Sequence, residues 1–327
     1  MTVSLAPTGG NPVTRLIKTY PMELILIVLI VLLIFTAPGF ASLRNVLNVL
    51  RTGSLLGIIA FGMTAVIISG EIDLSVGAGA AMAGCIVAWV CGALVDGVGG
   101  PFSALLGIAL ATAIGFALGF SVGKFRQWFN VPSFIATLAL FTALRGVANL
   151  ITGGFPLTTF PKGFDFLGGG YLFGIPFPVY IFALTFAGMH FLMNFTRFGR
   201  AVYAVGGNME AARLSGIDIW WVKSMALGIL GALTAISGTL IASQIGSGTG
   251  TTATGMELDV IAAVIIGGTS LFGGKGRVWG TLIGVLFLGC ISNGMTLLNV
   301  SEYWQYVVRG GIILGAVLLN QVLERVR

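Results

Sequence analysis

The sequence predicts an all-α polytopic membrane protein with about ten transmembrane helices. Three observations carry that prediction. Of 327 residues, 56% are hydrophobic and only 9% charged, whereas soluble domains carry roughly a quarter charged residues. Apolar runs of spanning length recur along the whole chain, and mean hydropathy is +1.01. Lysine and arginine cluster on one side when those runs are counted as crossings. The net charge of +6 follows from that asymmetry and does not point to nucleic acid as a partner.

A span needs about 20 mostly apolar residues. Ten stretches qualify: 22–37, 53–69, 75–95, 101–123, 133–152, 175–195, 222–245, 258–272, 279–299 and 303–321. The eighth is short and the third and fifth carry polar residues, so the count ranges from eight to ten. Arg15 and Lys18 precede the first run, and Thr36-Ala37-Pro38 is a poor cleavage context. That run therefore reads as an uncleaved span behind a cytoplasmic tail, residues 1–21. In the fourth, Gly115, Gly119 and Gly123 form a ridge of small residues, and Gly280 with Gly284 begins another in the ninth. Such ridges let helix backbones approach in lipid, within a subunit or between two.

With the N-terminus in the cytoplasm, twelve cations fall on that side: Arg15, Lys18, Lys124, Arg126, Arg197, Arg200, Arg213, Lys223, Lys275, Arg277, Arg325 and Arg327. Arg44, Arg51 and Lys162 fall opposite. Both termini are thus expected in the cytoplasm. The misfits Arg44 and Arg51 suggest an interfacial helix leading into the second span. Gly70-Glu71-Ile72-Asp73-Leu74 is echoed by Gly255-Met256-Glu257-Leu258-Asp259-Val260 five spans later. An odd separation gives two inverted five-helix halves, a common transporter plan.

The longest polar stretch runs from 197 to 223 and must project into water. Within it Asn208 is a good N-cap, Glu210 sits in the first turn where the helix dipole favours an anion, Arg213 follows one turn later and Gly216 can close the helix. A helix over 208–216 is too short to stand alone and needs a partner to dock on.

Several polar residues lie in or beside spans. Glu71, Asp73, Glu257 and Asp259 can cap the helices that follow, line a polar path or relay protons. Arg145 and Arg309 fall within spans and call for acids or carbonyls on neighbouring helices. Asn149, Asn293 and Gln244 read as interhelical hydrogen-bonding groups. With aromatic platforms such as Trp89, Phe141, Trp279 and Phe287, they could also meet a hydroxyl-rich solute. Cys85, Cys91, Cys290 and the single His190 show no metal spacing. Ten spans leave no room for a soluble catalytic domain, so residues 1–327 read as one transmembrane domain. A phosphate-binding loop is absent too: Thr269 stands where its first glycine belongs, and Gly276 replaces the Mg²⁺-binding hydroxyl residue.

Five segments together resemble the ribose-type permease subunits of bacterial ABC sugar importers, within the branched-chain amino acid/ribose-type permease superfamily. They are ISGEIDLSVGA (68–78), RGVANLITGG (145–154), AVGGNMEAARLSGI (204–217), GMELDVIAAVIIGGTSLFGGKGRVWGTLIG (255–284) and YWQYVVRGGIILGAVLL (303–319). The resemblance implies an inner-membrane permease that pairs with a second permease, identical or paralogous, and with two cytoplasmic ATPase subunits holding ATP and Mg²⁺. It also implies a periplasmic binding protein that supplies specificity, so no tight central sugar site is required. Asn208, Glu210, Ala211, Ala212, Arg213 and Gly216 would then form the cytoplasmic coupling helix. Glu71 departs from the family pattern, which favours a small residue there.

Two other readings compete. An ion-coupled secondary carrier would use the four acids as its relay and work without ATP. An intramembrane enzyme would need a His, Cys or Ser constellation, against which the single histidine argues.

Overall fold

The computed structural model describes residues 21–325. The expected tail therefore lies outside the described residues, Pro21 excepted. The chain is built from thirteen helices among those residues: α1 (Pro21–Thr36), α2 (Leu43–Ile68), α3 (Val76–Val98), α4 (Gly100–Phe129), α5 (Ser133–Thr152), α6 (Phe166–Gly169), α7 (Phe177–Phe195), α8 (Arg197–Gly207), α9 (Met209–Leu214), α10 (Ile219–Ile245), α11 (Met256–Ile266), α12 (Val278–Leu297) and α13 (Glu302–Arg325). Among the described residues the departures from an all-helical fold are a two-stranded hairpin, β1 (Tyr171–Leu172) and β2 (Ile175–Pro176), and an isolated antiparallel bridge between Leu157 and Gly248. Phe173 and Gly174 between the strands both take positive φ, the tight turn that suits the twist of paired strands.

Among the described residues seven helices are long and apolar enough to cross a membrane: α2, α3, α4, α5, α7, α10 and α12. Three more coincide with expected spans. Of these, α1 has 16 residues, α11 has 11, and α13 has 24 but carries Glu302 and Arg309. The second span departs from expectation. No separate interfacial helix precedes it; Arg44 and Arg51 lie on the first three turns of one continuous 26-residue helix, α2. Arg51 is held there by the Gly169 carbonyl at 3.3 Å and by the Tyr171 ring.

Helix α10 is the central pillar and packs on α4, α3 and α2. The glycine ridge makes the tightest of these contacts possible. A side chain at Gly115 or Gly119 would meet the carbonyls of Gly231 or Leu227, and one at Gly123 would meet Ser224. The ridge thus serves packing inside one chain, against α10. Gly280 and Gly284 bring α12 onto the carbonyls of Gly267 and Ala263 in the same way. Gly119→Ala is accordingly expected to reduce the yield of monodisperse protein severalfold on size-exclusion chromatography. Gly188→Ala on α7, where no atom lies within 4 Å, should match the parent.

Between α2 and α3 the chain runs through a non-helical, largely buried segment, residues 71–75. Non-helical backbone at membrane depth survives only where its polar groups are satisfied. Here Ser133 and Thr137 of α5 accept from the Ile72 and Leu74 amides at 3.4 and 3.1 Å. Gly70 and Gly255 both take positive φ before their acid pairs. The echoed segments nonetheless differ locally, because α11 begins immediately after Gly255 whereas α3 begins only at Val76.

Candidate functional site

The polar stretch after Arg197 folds as two helices, α8 and α9, which pass into α10. Asn208 caps α9: its side chain accepts from the Ala211 amide at 3.0 Å. Glu210 and Arg213 pair at 2.9 Å and are about two-thirds exposed. Gly216, with φ of 80°, turns the chain after the helix, and the amides of Gly216 and Ile217 return to Arg213 and Ala212. Ala212 is the buried anchor of α9, packed into the main apolar core, while Ala211 faces outward. Met209, Leu214 and Trp221 are exposed around the charged pair. The 208–216 segment is therefore a short, capped helix with one buried foot and one free face.

Helix α8, from which α9 continues, sits at a junction of main chains. The Gly274 amide donates to the Ile68 carbonyl, the last of α2, at 2.8 Å. Gly206 presses against that same carbonyl so closely that a Cβ would overlap it. Tyr203 donates to the Gly276 carbonyl at 2.9 Å. Helix α8 thus grips the end of α2 and the 268–277 loop that links α11 to α12.

Directly beneath lies a buried charge cluster that sequence reasoning missed. Lys223 was expected in a cytoplasmic loop; it is instead 4% exposed on α10. It donates to Glu71 Oε1 at 2.6 Å, with Met209 Sδ of α9 at 3.8 Å. Arg126 Nε lies 2.9 Å from the same oxygen, at ion-pair distance but without hydrogen-bond alignment, and Glu71 Oε2 has no partner. Three segments, the 71–75 stretch, α4 and α10, are therefore tied by one carboxylate. No sequence signal pairs residues 152 positions apart, although a lysine inside an apolar run after Val222 announced that a partner was needed.

The remaining predicted residues separate into different settings. Asp73 accepts from both the amide and hydroxyl of Ser75, at 2.7 and 2.6 Å, just before α3 begins. Asp259 does not cap α11; the residue before that helix is Gly255, and Asp259 instead pairs with Arg309 of α13 at 3.0 Å. Glu257 is buried in the first turn of α11 with Oε2 unpartnered, beside Gly77. Arg145 reaches no acid directly. Its guanidinium donates to the carbonyls of Gly250 and Thr252, both at 2.6 Å. Asn149 bonds within its own helix to the Arg145 carbonyl, whereas Asn293 exchanges two 2.8 Å bonds with Asn45 across α12 and α2. Gln244 is exposed. No hydrogen bond joins any two of the four acids. Among the described residues no ring contact links Trp89, Phe141, Trp279 and Phe287 into one platform.

The seven spanning-length helices among the described residues define a multi-pass membrane protein. Residues 45–317 match the family described as branched-chain amino acid transport system / permease component. The chain is 41% identical over 299 residues to the ribose import permease protein RbsC of Escherichia coli (strain K12), covering 90% of this chain and 91% of that one. It is 43% identical to RbsC of Bacillus subtilis (strain 168), at 90% coverage of both. It is also 36% identical to the L-arabinose ABC transporter permease protein AraH of Azospirillum brasilense, over 96% of this chain and 90% of that one. No solved structure matches. The chain belongs to this family: it is a permease subunit of the ribose type found in ATP-binding-cassette importers, and not an enzyme.

Proposed function

We propose that this permease carries a sugar or sugar-like solute across the inner membrane of a bacterium by alternating access. The solute arrives on a periplasmic binding protein, and ATP binding and hydrolysis on two separate cytoplasmic ATPase subunits drive the change of state. A second permease, identical or paralogous, completes the assembly. The chain crosses the membrane ten times, with α1, α11 and α13 added to the seven long spans, as two halves of opposite orientation and with both termini in the cytoplasm. The 197–223 region then faces the ATPase, and α9 is its coupling helix.

One observation carries this reading: α9 is capped at both ends, buries Ala212, rests Met209 on Lys223, and continues directly from α8, which grips α2 and the 268–277 loop. A force applied to its free face passes into α8, whose close contacts with the end of α2 and the 268–277 loop transmit displacement with little slack. The names of the relatives, for ribose and L-arabinose import, support the solute class. The ion-coupled reading finds less support, because Glu71 and Asp259 are held in ion pairs and the four acids form no hydrogen-bonded chain.

The test is affinity purification of the tagged permease from its native membranes, with mass spectrometry of what accompanies it. An ATPase subunit near one per permease is expected, and it should be lost in Glu210→Lys while the protein still inserts. A permease that purifies alone and transports in liposomes without ATP would end the importer reading.

A further inference from the structure

Four exposed cations stand unpaired beside the junction below α9. Arg197 and Arg200 lie one turn apart at the start of α8, and Lys275 and Arg277 lie in the 268–277 loop. Among the described residues none of the four enters an ion pair, and none of their side chains makes a hydrogen bond. Tyr203 of α8 joins the two groups by donating to the Gly276 carbonyl at 2.9 Å. Helix α8 contains no acid. The acids of neighbouring segments are engaged elsewhere: Glu210 with Arg213, Asp218 with the Trp221 amide and Glu23 with Trp279.

Their setting is the edge of a bilayer. Arg197 follows the last residue of α7 by two positions, and Arg277 immediately precedes α12. Both helices are of spanning length, and they meet where the Phe186 and Trp279 rings lie 6.1 Å apart. Phe191 and Phe195 stack at 5.8 Å near the end of α7 and are 60% and 66% exposed. Trp279 is half exposed, and its indole N–H donates to Glu23 at 3.2 Å. Exposed aromatic rings at span ends, with a polar tip turned outward, mark the level of the lipid headgroups. Val202 and Val205 bury the opposite face of α8 in the main core, which leaves the two arginines on its outer face.

Charge identifies the partner. Each lysine or arginine held near an anionic membrane surface strengthens the attraction about fivefold. A guanidinium fork also matches phosphate oxygens with two parallel hydrogen bonds. A zwitterionic headgroup offers the same phosphate but cancels its charge. The exposed face of α9 differs, because Glu210 and Arg213 neutralise each other there.

We infer that the outer face of α8, with residues 275–277, binds the headgroups of anionic phospholipids and so braces α8 against the bilayer. The importer reading makes this the inner leaflet, but binding itself does not depend on that reading. Gly206, which presses on the Ile68 carbonyl, follows Arg200 by about 9 Å along the helix. A headgroup held at the start of α8 therefore steadies the end that grips α2.

The test titrates the purified full-length permease in detergent with dioleoylphosphatidylglycerol or dioleoylphosphatidylcholine. Native mass spectrometry reads the bound lipid, and the melting temperature reads the bracing. At least tenfold tighter retention of the anionic lipid is expected, with a rise in melting temperature that about 0.5 M NaCl removes by screening. Arg197→Gln combined with Arg200→Gln should weaken that retention tenfold or more and abolish most of the rise. Arg44→Gln combined with Lys162→Gln removes as much charge from exposed sites outside this surface, and should change neither.

Equal retention of the two lipids, or equal losses in the two double variants, overturns the proposal. Inorganic phosphate that raises the melting temperature as much as the anionic lipid does so too, since the site would then serve a soluble anion. Should the arginine variant fail to fold, the parent protein decides, and a lipid preference that salt leaves untouched sinks the idea. A variant that keeps the anionic lipid but loses the ATPase subunit would make this face a protein-docking surface instead. An unsubstituted permease that retains the lipid but no ATPase strikes the importer reading and leaves the lipid site standing.

Discussion

Glu71→Leu is expected to destabilise the folded permease by about 3–5 kcal/mol, the penalty for stranding a buried charge by removing its partner. Lys223 is 4% exposed, and its ammonium otherwise finds only the Met209 sulfur. Arg126 is better placed to recover, because a quarter of its side chain already reaches solvent. The loss should appear as a large drop in melting temperature of the detergent-solubilised protein and in its yield. The double variant Glu71→Leu with Lys223→Met should recover most of that stability, since an ion pair replaced on both sides by apolar groups of similar volume is often neutral. Its transport should stay impaired, because the tie between the 71–75 stretch, α10 and α9 is gone. A single variant that melts with the parent would mean that the cluster holds nothing together. A relay carrier would behave differently again, losing ion dependence in Glu71→Leu while keeping its fold.

Gly206→Val is expected to separate ATP hydrolysis from uptake. Any Cβ at this position overlaps the Ile68 carbonyl and crowds the Gly274 amide that donates to it. The clash is confined to the last carbonyl of α2 and the Gly274 amide, so insertion and assembly with the ATPase should survive. The displaced part is α8, and with it the seat of α9. In reconstituted importer, solute moved per ATP hydrolysed should fall by about tenfold or more, equivalent to at least about 1.4 kcal/mol of lost coupling. Gly207→Val is the matched control, since no atom lies within 4 Å of a side chain there. Equal coupling in the two variants would remove the junction from the transmission path.

Much of the architecture could be read from the chain without coordinates. Membrane spans are announced by run length, because each must satisfy its own backbone in lipid and so must be a long apolar helix. The α9 helix was equally readable, since its signals are local: Asn208 caps a donor three residues away, and Gly216 supplies the positive φ that ends the turn. The five motifs likewise pointed to the permease family that residues 45–317 match.

Other features lay beyond the sequence. The glycine ridge of α4 was visible as a packing face, but nothing in it names α10 as its partner. Asp259 looked like a cap because it stands near a helix start, yet a cation 50 residues away competes better for it than an amide does. Arg145 advertised an unmet need without revealing that carbonyls 105 and 107 residues on would meet it.

Composition and local pattern alone thus determined that this protein is a multi-pass helical membrane protein, where its long spans lie, and which short polar helix protrudes, while the resemblance of five motifs added the permease family. Those properties depend on interactions within a turn or with lipid, which neighbouring residues fully specify. Only the tertiary structure decided that Lys223 lies buried against Glu71 and that Gly206 locks onto Ile68. Each depends on which helices meet, and in a membrane nearly every apolar helix face can pack against nearly every other. The choice falls to sparse polar pairs and small-residue contacts whose members are scattered along the chain.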